Sequence, residues 1–170
     1  ALALKTNAVN LGQGFPDKDG PIEVVEAAID AIRNGLGNQY PPGIGVPELR
    51  NAIRDHQQRF YGLEFDPDTE ILVTAGASEA LAASVIALCE TGDEVVTFEP
   101  WYDIYGANIA MAGATKKVVT LRPPHYAFEE SEFLAALSPK TRLILLNTPH
   151  NPTGKVFSRE ELEFIANVAI

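Results

Sequence analysis

The sequence predicts an α/β fold in which helices flank a mostly parallel β-sheet. Short β-prone runs alternate with amphipathic or apolar helical stretches between residues 71 and 147. The β-prone runs are 71–74, 94–98, 115–120 and 141–147, and the helical stretches are 78–90, 101–112 and 129–137. Such alternation is typical of βαβ units, whose strands lie parallel. With 46% hydrophobic residues over 170 positions, the chain can form a sizeable core.

Three further helices are predicted outside this alternating region. Residues 21–34 carry apolar side chains at helical spacing, with Pro21 suited to the first turn. A second helix begins at Pro47 and stops before Gly62. A last helix is indicated by Ser158 and Glu161, which have the spacing of a capping box.

Composition narrows the classes of function. The net charge of -10, with 13 scattered Lys and Arg residues, argues against binding nucleic acid. The apolar run 80–89 is about half the ~20 residues of a membrane span, and the N-terminus lacks a signal pattern. A single cysteine, Cys89, is expected to be a buried thiol, and the three histidines lack metal-ligand spacing. A cytoplasmic protein without a metal site or membrane segment is expected.

The segment Thr-Ala-Gly-Ala-Ser-Glu at 74–79 joins the first β-prone run to a helix. Small residues let the backbone approach a phosphate, and a helix start offers unpaired N–H groups and a partial positive charge. The segment has neither the Gly-Lys of a Walker loop nor the Gly-x-Ser-x-Gly of a hydrolase. Two interpretations stay open, an anion-binding turn and a tight turn that uses small residues for packing.

Two other loops follow β-prone runs, where α/β proteins bind their ligands. The first, Glu-Pro-Trp-Tyr-Asp-Ile-Tyr at 99–105, carries three aromatic residues that form either a flat wall for a planar ligand or ordinary core anchors. The second, Asn-Thr-Pro-His-Asn-Pro-Thr-Gly-Lys at 147–155, carries Asn147 and Asn151. Asparagine amides can hold a carboxylate or phenolate oxygen without supplying charge.

Four motifs occur in the order and approximate spacing of class I aminotransferases. They are Leu-Gly-Gln-Gly-Phe-Pro-Asp at 11–17, Asn-Gln-Tyr-Pro-Pro at 38–42, Glu-Pro-Trp-Tyr-Asp at 99–103 and Asn-Thr-Pro-His-Asn-Pro-Thr-Gly at 147–154. Over essentially its whole length the chain resembles fold-type I enzymes that depend on pyridoxal 5′-phosphate. The likeness is greatest to the kynurenine, glutamine, methionine and N-succinyldiaminopimelate branch, with a slight preference for the last.

The resemblance implies a domain organisation. Residues 1–45 would form an N-terminal segment with a helix and an inter-subunit loop. Residues 46–170 would form the N-terminal half of the cofactor-binding large domain, with its sheet in α/β/α layers. A cis peptide bond is also expected before Pro100 or Pro152.

Roles in cofactor binding follow for the residues at matching positions. Gly76, Ala77 and Ser78 would hydrogen-bond the phosphate of pyridoxal 5′-phosphate. Tyr102 would stack on the pyridine ring, and Asn151 would bond the phenolic oxygen.

The resemblance also implies contacts with the substrate and with a second subunit. Asn147 and Asn151 would line the substrate pocket, and the backbone at Gly14 would face the substrate carboxylate. Tyr40 would reach the phosphate of the cofactor in the other subunit, so that the working unit would be a homodimer.

The reaction implied by the resemblance is transfer of an amino group between an amino acid and a 2-oxo acid, in amino-acid biosynthesis. The Schiff-base lysine, an aspartate for the pyridine nitrogen and an arginine for the substrate carboxylate are expected beyond Ile170. No catalytic residue is therefore assigned, Lys155 included, and the 170 residues alone are expected to be inactive. Two alternatives stay open, a carbon–sulfur β-lyase on the same fold and a non-catalytic aminotransferase-like fragment or regulator domain.

Overall fold

The computed structural model describes residues 2–10, 14 and 18–170. The motif at 11–17 therefore lies outside the described residues, apart from Gly14. The chain forms two compact units, Ala1–Asp68 and Thr69–Ile170. The expected division at residues 45 and 46 concerns the domains of the whole enzyme and stays a prediction.

The first unit is helical. It contains α1 (Leu2–Thr6), α2 (Ile22–Arg33), a 3₁₀ helix (Leu36–Asn38) and α3 (Pro47–Tyr61). The bounds of α2 and α3 agree closely with the prediction, whereas α1 and the 3₁₀ helix were not predicted. Among the residues described, no helix combines the length and the apolar character needed to cross a membrane.

A buried arginine connects α3 to the loops on either side of it. Arg50 is only 5% exposed. Its Nε donates to the carbonyl of Gly45 at 3.2 Å, and its Nη1 donates to Asp68 Oδ1 at 2.8 Å and to the carbonyl of Pro67. Because an unpaired buried charge is costly, these contacts favour one arrangement of the two loops on α3.

The second unit is a three-layer α/β structure. Its elements are α4 (Gly76–Leu88), β1 (Glu94–Glu99), α5 (Ile104–Met111), β2 (Thr115–Thr120), α6 (Glu130–Ala136), β3 (Thr141–Leu145) and α7 (Arg159–Ala169). The strand order is β2-β1-β3, and β1 pairs parallel with both neighbours. The parallel α/β fold predicted from the sequence is therefore confirmed.

Helices cover both faces of the sheet. On one face Val96 and Phe98 pack with Phe133 of α6 and Ile165 of α7. On the other face the core is formed by α4, α5 and the alternate strand residues, namely Val85, Cys89, Val95, Tyr105, Ile109 and Leu145. The alternation of Val95 and Val96 follows from the two-residue period of a strand. Cys89 is buried, as expected, and burial and the nearby Asp93 raise the pKa of its thiol.

One predicted strand is wrong. Residues 71–74 form no ladder with another strand in the described part of the chain, although Ile71 is buried. An apolar, β-prone run becomes a strand only where a neighbour accepts its backbone hydrogen bonds, and periodicity cannot identify that neighbour. The strand predicted over 141–147 ends at Leu145, before the hydrogen-bonded loop that begins at Asn147.

The phenylalanine cluster on the α6 and α7 face supports a stability prediction. Phe133 is fully buried, with ring centroids 5.7–5.9 Å from those of Phe98, Phe128 and Phe164. In the full-length protein, Phe133→Ala should lower the free energy of unfolding by about 3–5 kcal/mol, because it leaves a cavity. Denaturant unfolding measures this change. The control Phe60→Ala removes a ring that is 61% exposed and should cost far less; equal losses would contradict this account of the core.

Candidate active site

The sheet brings two of the candidate loops to the same edge. Because β1 and β3 run parallel, their carboxyl ends point in the same direction. The loop after β1 carries Tyr102, and the loop after β3 carries Asn147 and Asn151. The N-terminus of α4 follows residues 71–74 and carries Ala77.

One cavity of about 620 Å³ is lined by Ala77, Tyr102, Asn147 and Asn151. Opposite β3 it is lined by Ala77, Leu81 and Ser84, which lie on one stripe of α4. Five consecutive residues, 143–147, line it from the other side. Since successive residues of a strand point to opposite faces, this lining runs along the edge of β3 that has no partner strand among the residues described.

The start of α4 has the properties of an anion site. Gly76 has a φ of 78°, which favours glycine, and Thr74 Oγ1 donates to its carbonyl at 3.0 Å. Ala75 is the N-cap residue of α4, and its backbone N–H donates to the Glu79 carboxylate. Among the residues described, its side chain makes no capping hydrogen bond to the first turn of the helix. The Gly76 N–H donates to the Thr74 carbonyl at 2.8 Å, so the first-turn amides that could bind an anion are those of Ala77 and Ser78, for which an α-helix offers no intrahelical acceptor.

The aromatic loop contributes to both the cavity and the core. Tyr102 and Tyr105 both line the cavity and meet edge to face, with centroids 5.9 Å apart and an interplanar angle of 83°. Burial, and secondarily Tyr102, raise the pKa of Tyr105. Trp101 packs against the core, and Lys116 Nζ lies 4.7 Å from its ring centroid. All three aromatic residues thus pack in or against the core, and the role of Tyr102 as a wall for a planar ligand stays a prediction.

The asparagine loop is held by hydrogen bonds within itself. The Asn151 N–H donates to Asn147 Oδ1 at 2.7 Å, so the two asparagines are directly connected. The Gly154 N–H donates to the His150 carbonyl at 2.7 Å, and the His150 N–H donates to the Lys155 carbonyl at 2.8 Å. These bonds hold the backbone on both sides of Asn151.

Cis peptide bonds occur in both loops. The bonds before Pro100 and Pro152 are cis, which confirms the expectation at both positions. The bonds before Pro124 and Pro149 are also cis and were not predicted.

His150 is part of the framework of the asparagine loop. It is 4% exposed, and its Nδ1 lies 2.8 Å from Thr153 Oγ1. Burial, with a contribution from the Lys155 charge, lowers the pKa of His150. Within the described part of the chain, no group of three or more His, Cys, Asp or Glu side chains is arranged to hold a metal ion.

The predicted site residues are only partly brought together. Gly76 and Ser78 adjoin Ala77 at the start of α4 without lining the cavity themselves. Gly14 and Tyr40 belong to the first compact unit, where Tyr40 is wholly exposed. Their assigned roles remain predictions.

Sequence reasoning missed the apolar side of the cavity. Leu81, Ser84 and Pro149 line it but were not selected. The signal for the first two was available, because they follow Ala77 at intervals of four and three residues on a helix. Pro149 lies within the motif that carries Asn151, but only the asparagines of that motif were assigned to the site.

The chain belongs to the family Aminotransferase class I and II, whose profile matches residues 6–169. The probable N-succinyldiaminopimelate aminotransferase of Mycobacterium tuberculosis is 50% identical over 172 residues, which cover 100% of this chain and 43% of that protein. Methionine aminotransferase of Escherichia coli is 47% identical over 161 residues, which cover 95% of this chain and 42% of the relative.

A solved structure supports the same relationship. N-succinyldiaminopimelate aminotransferase from Mycobacterium tuberculosis superposes with a TM-score of 0.92 at 50% identity, over 99% of this chain and 44% of that chain. The resemblance drawn from the four motifs and the assignment to part of the large domain are therefore confirmed. The chain spans less than half the length of these relatives.

The buried His150 gives a prediction about pH. Because its pKa in the folded protein lies below 6.5, the unfolded chain takes up a proton at higher pH than the folded one. The free energy of unfolding of the full-length protein should therefore fall as pH drops below about 6.5, and this contribution should be constant above it.

Thermal unfolding between about pH 5 and 7.5, around the ordinary histidine pKa, measures this dependence. His150→Gln should flatten the acid side of the profile, whereas His125→Gln, at an exposed position, should leave it unchanged. An unchanged slope in His150→Gln would show that this histidine does not titrate as its burial requires.

Proposed function

We propose that the full-length protein is a pyridoxal 5′-phosphate-dependent aminotransferase and that the cavity beside α4 is part of its cofactor site. The observation that carries the proposal is the common lining of this cavity by Ala77, Tyr102 and Asn151. These residues come from three separate segments of a chain that belongs to an aminotransferase family. They match three parts of the cofactor, namely its phosphate, its ring and its phenolic oxygen.

The start of α4 would bind the phosphate. The amides of Ala77 and Ser78 lie in the first turn, where the helix dipole places partial positive charge. The Ser78 hydroxyl can donate a further hydrogen bond. Gly76, with its positive φ, allows the backbone to turn tightly into the helix.

The other two loops would orient the ring. Tyr102 would stack on one face of the pyridine, held in place by the edge of Tyr105. Asn151 would donate its side-chain amide to the phenolic oxygen, while Asn147 holds the backbone of Asn151. When bound, pyridoxal phosphate supplies an electron sink for transfer of the amino group. The contribution of these residues is to bind, orient and hydrogen-bond that group.

Substrate binding and subunit assembly complete the proposal. Asn147 lines the same cavity and would contact the substrate. The backbone at Gly14 would face the substrate carboxylate. Tyr40, wholly exposed in its own unit, would contact the cofactor phosphate of a second subunit in a cytoplasmic homodimer. The proposed donors are N-succinyldiaminopimelate or amino acids of the kynurenine, glutamine and methionine type.

Cofactor affinity tests the assigned site. Tyr102→Ala in the full-length protein should raise the dissociation constant for pyridoxal phosphate about tenfold, because the loss of an aromatic contact costs about 1.4 kcal/mol. The measurement is absorbance titration of the apoprotein. Tyr61→Ala, at a tyrosine that is 65% exposed, is the matched control and should bind like the wild type. Equal affinity in all three proteins would remove Tyr102 from the site.

Product analysis tests the reaction. The loaded full-length protein, given 2-oxoglutarate and each proposed amino donor in turn, should form glutamate in proportion to the donor consumed. This stoichiometry follows because a transaminase conserves the amino group. Pyruvate and ammonia released from a cysteine conjugate without glutamate would favour a β-lyase. A protein that binds pyridoxal phosphate and converts none of the donors would contradict the proposed enzyme.

A further inference from the structure

A buried lysine lies in the asparagine loop. The Lys155 side chain is only 7% exposed, and its Nζ lies 2.8 Å from Glu161 Oε1. The same Nζ lies 4.9 Å from the centroid of the Phe157 ring. Removing an ammonium group from water is costly, and a buried ion pair often contributes little net stability. The contribution of the Lys155–Glu161 pair is therefore sought in the positions of the segments that it joins.

The glutamate partner connects the loop to the start of α7. Glu161 Oε2 accepts from the Ser158 N–H at 2.8 Å, and the Glu161 N–H donates to Ser158 Oγ at 3.2 Å. These two bonds form the capping box of α7. One carboxylate thus joins Lys155 to the N-terminus of a helix whose Ile165 is buried in the core.

The backbone of Lys155 connects in turn to Asn151. The Lys155 carbonyl accepts from the His150 N–H at 2.8 Å, and the Lys155 N–H donates to Thr153 Oγ1 at 3.2 Å. Asn151 follows His150 directly and is tied on its other side to Asn147. The Lys155 backbone is therefore hydrogen-bonded to the turn that carries Asn151.

We infer that the Lys155–Glu161 pair positions Asn151 by fixing the asparagine loop to the start of α7. Lys155 is absent from the described lining of the cavity, so it acts through Asn151 and does not touch the ligand. The inference rests on the proposed function, because it requires that Asn151 donate to the phenolic oxygen of pyridoxal phosphate. It adds a role for a loop lysine that the family motif does not assign.

The test uses the absorbance of pyridoxal phosphate bound to the full-length protein, recorded as a function of pH. A hydrogen bond to the phenolate favours its charged form, so losing that bond raises the pH midpoint of the absorbance change. Asn151→Ala should raise the midpoint by about one pH unit. Lys155→Met and Glu161→Gln should each raise it by about half a unit, because the amide of Asn151 is then present but misplaced.

Two further variants separate positioning from general stability. Glu163→Gln removes an exposed ion pair with Arg159 on the same helix, 3.5 Å long, and should leave the midpoint unchanged. Combining Lys155→Met with Asn151→Ala should add nothing to the shift of Asn151→Ala alone, because both changes act on one hydrogen bond. Glu161→Gln keeps an oxygen that can accept from Ser158, so it tests the pair even if Lys155→Met does not fold.

The outcomes distinguish the two proposals. A shift in Asn151→Ala with an unchanged midpoint in Glu161→Gln and Lys155→Met, whatever their melting temperatures, would overturn the positioning role alone. A full additional shift in the double variant would also overturn it. An unchanged midpoint in Asn151→Ala would overturn the assigned contact of Asn151, and the positioning role would fall with it. A wild-type protein that binds no pyridoxal phosphate would overturn the proposed function itself.

Discussion

The parallel pairing of β1 with both β2 and β3 is the constraint on which the candidate site depends. Because β1 and β3 run in the same direction, the chain must leave both strands at the same edge of the sheet. An antiparallel β3 would send the asparagine loop to the opposite edge, away from Tyr102. The helical crossovers β1–α5–β2 and β2–α6–β3 allow this parallel direction, and the apolar layers on the two faces stabilise it.

The loops at that edge are ordered by polar contacts rather than by regular secondary structure. Asn147 holds the backbone of Asn151, His150 is enclosed at 4% exposure, and the buried Lys155 joins the loop to the capping box of α7. A site that must bind a planar group needs its donors held in place before the ligand arrives. The parallel sheet thus sets the direction of the loops, and the hydrogen bonds and ion pair set their shape.

Local patterns were sufficient to predict most of the second unit. The bounds of β2 were predicted to the residue, and the capping box of α7 was identified from Ser158 and Glu161. The strand predicted over 71–74 was wrong because a strand requires a partner strand that is distant in sequence, which no local pattern reveals. In the site, motif order selected Tyr102 and Asn151, whereas the contact between Lys155 and Glu161 was invisible because the motif gives spacing and not burial. The roles of Gly14 and Tyr40 involve contacts with the substrate and with a second subunit, and both stay predictions.

The central claim is that the start of α4, the ring of Tyr102 and the amide of Asn151 surround one phosphorylated pyridine. A crystal structure of the full-length protein with pyridoxal phosphate tests it most directly. The account predicts the phosphate at the amides of Ala77 and Ser78, the ring against Tyr102 and the phenolic oxygen within hydrogen-bond distance of the Asn151 side chain. Pyridoxal phosphate bound elsewhere, or bound here with its phosphate away from α4, would contradict the account.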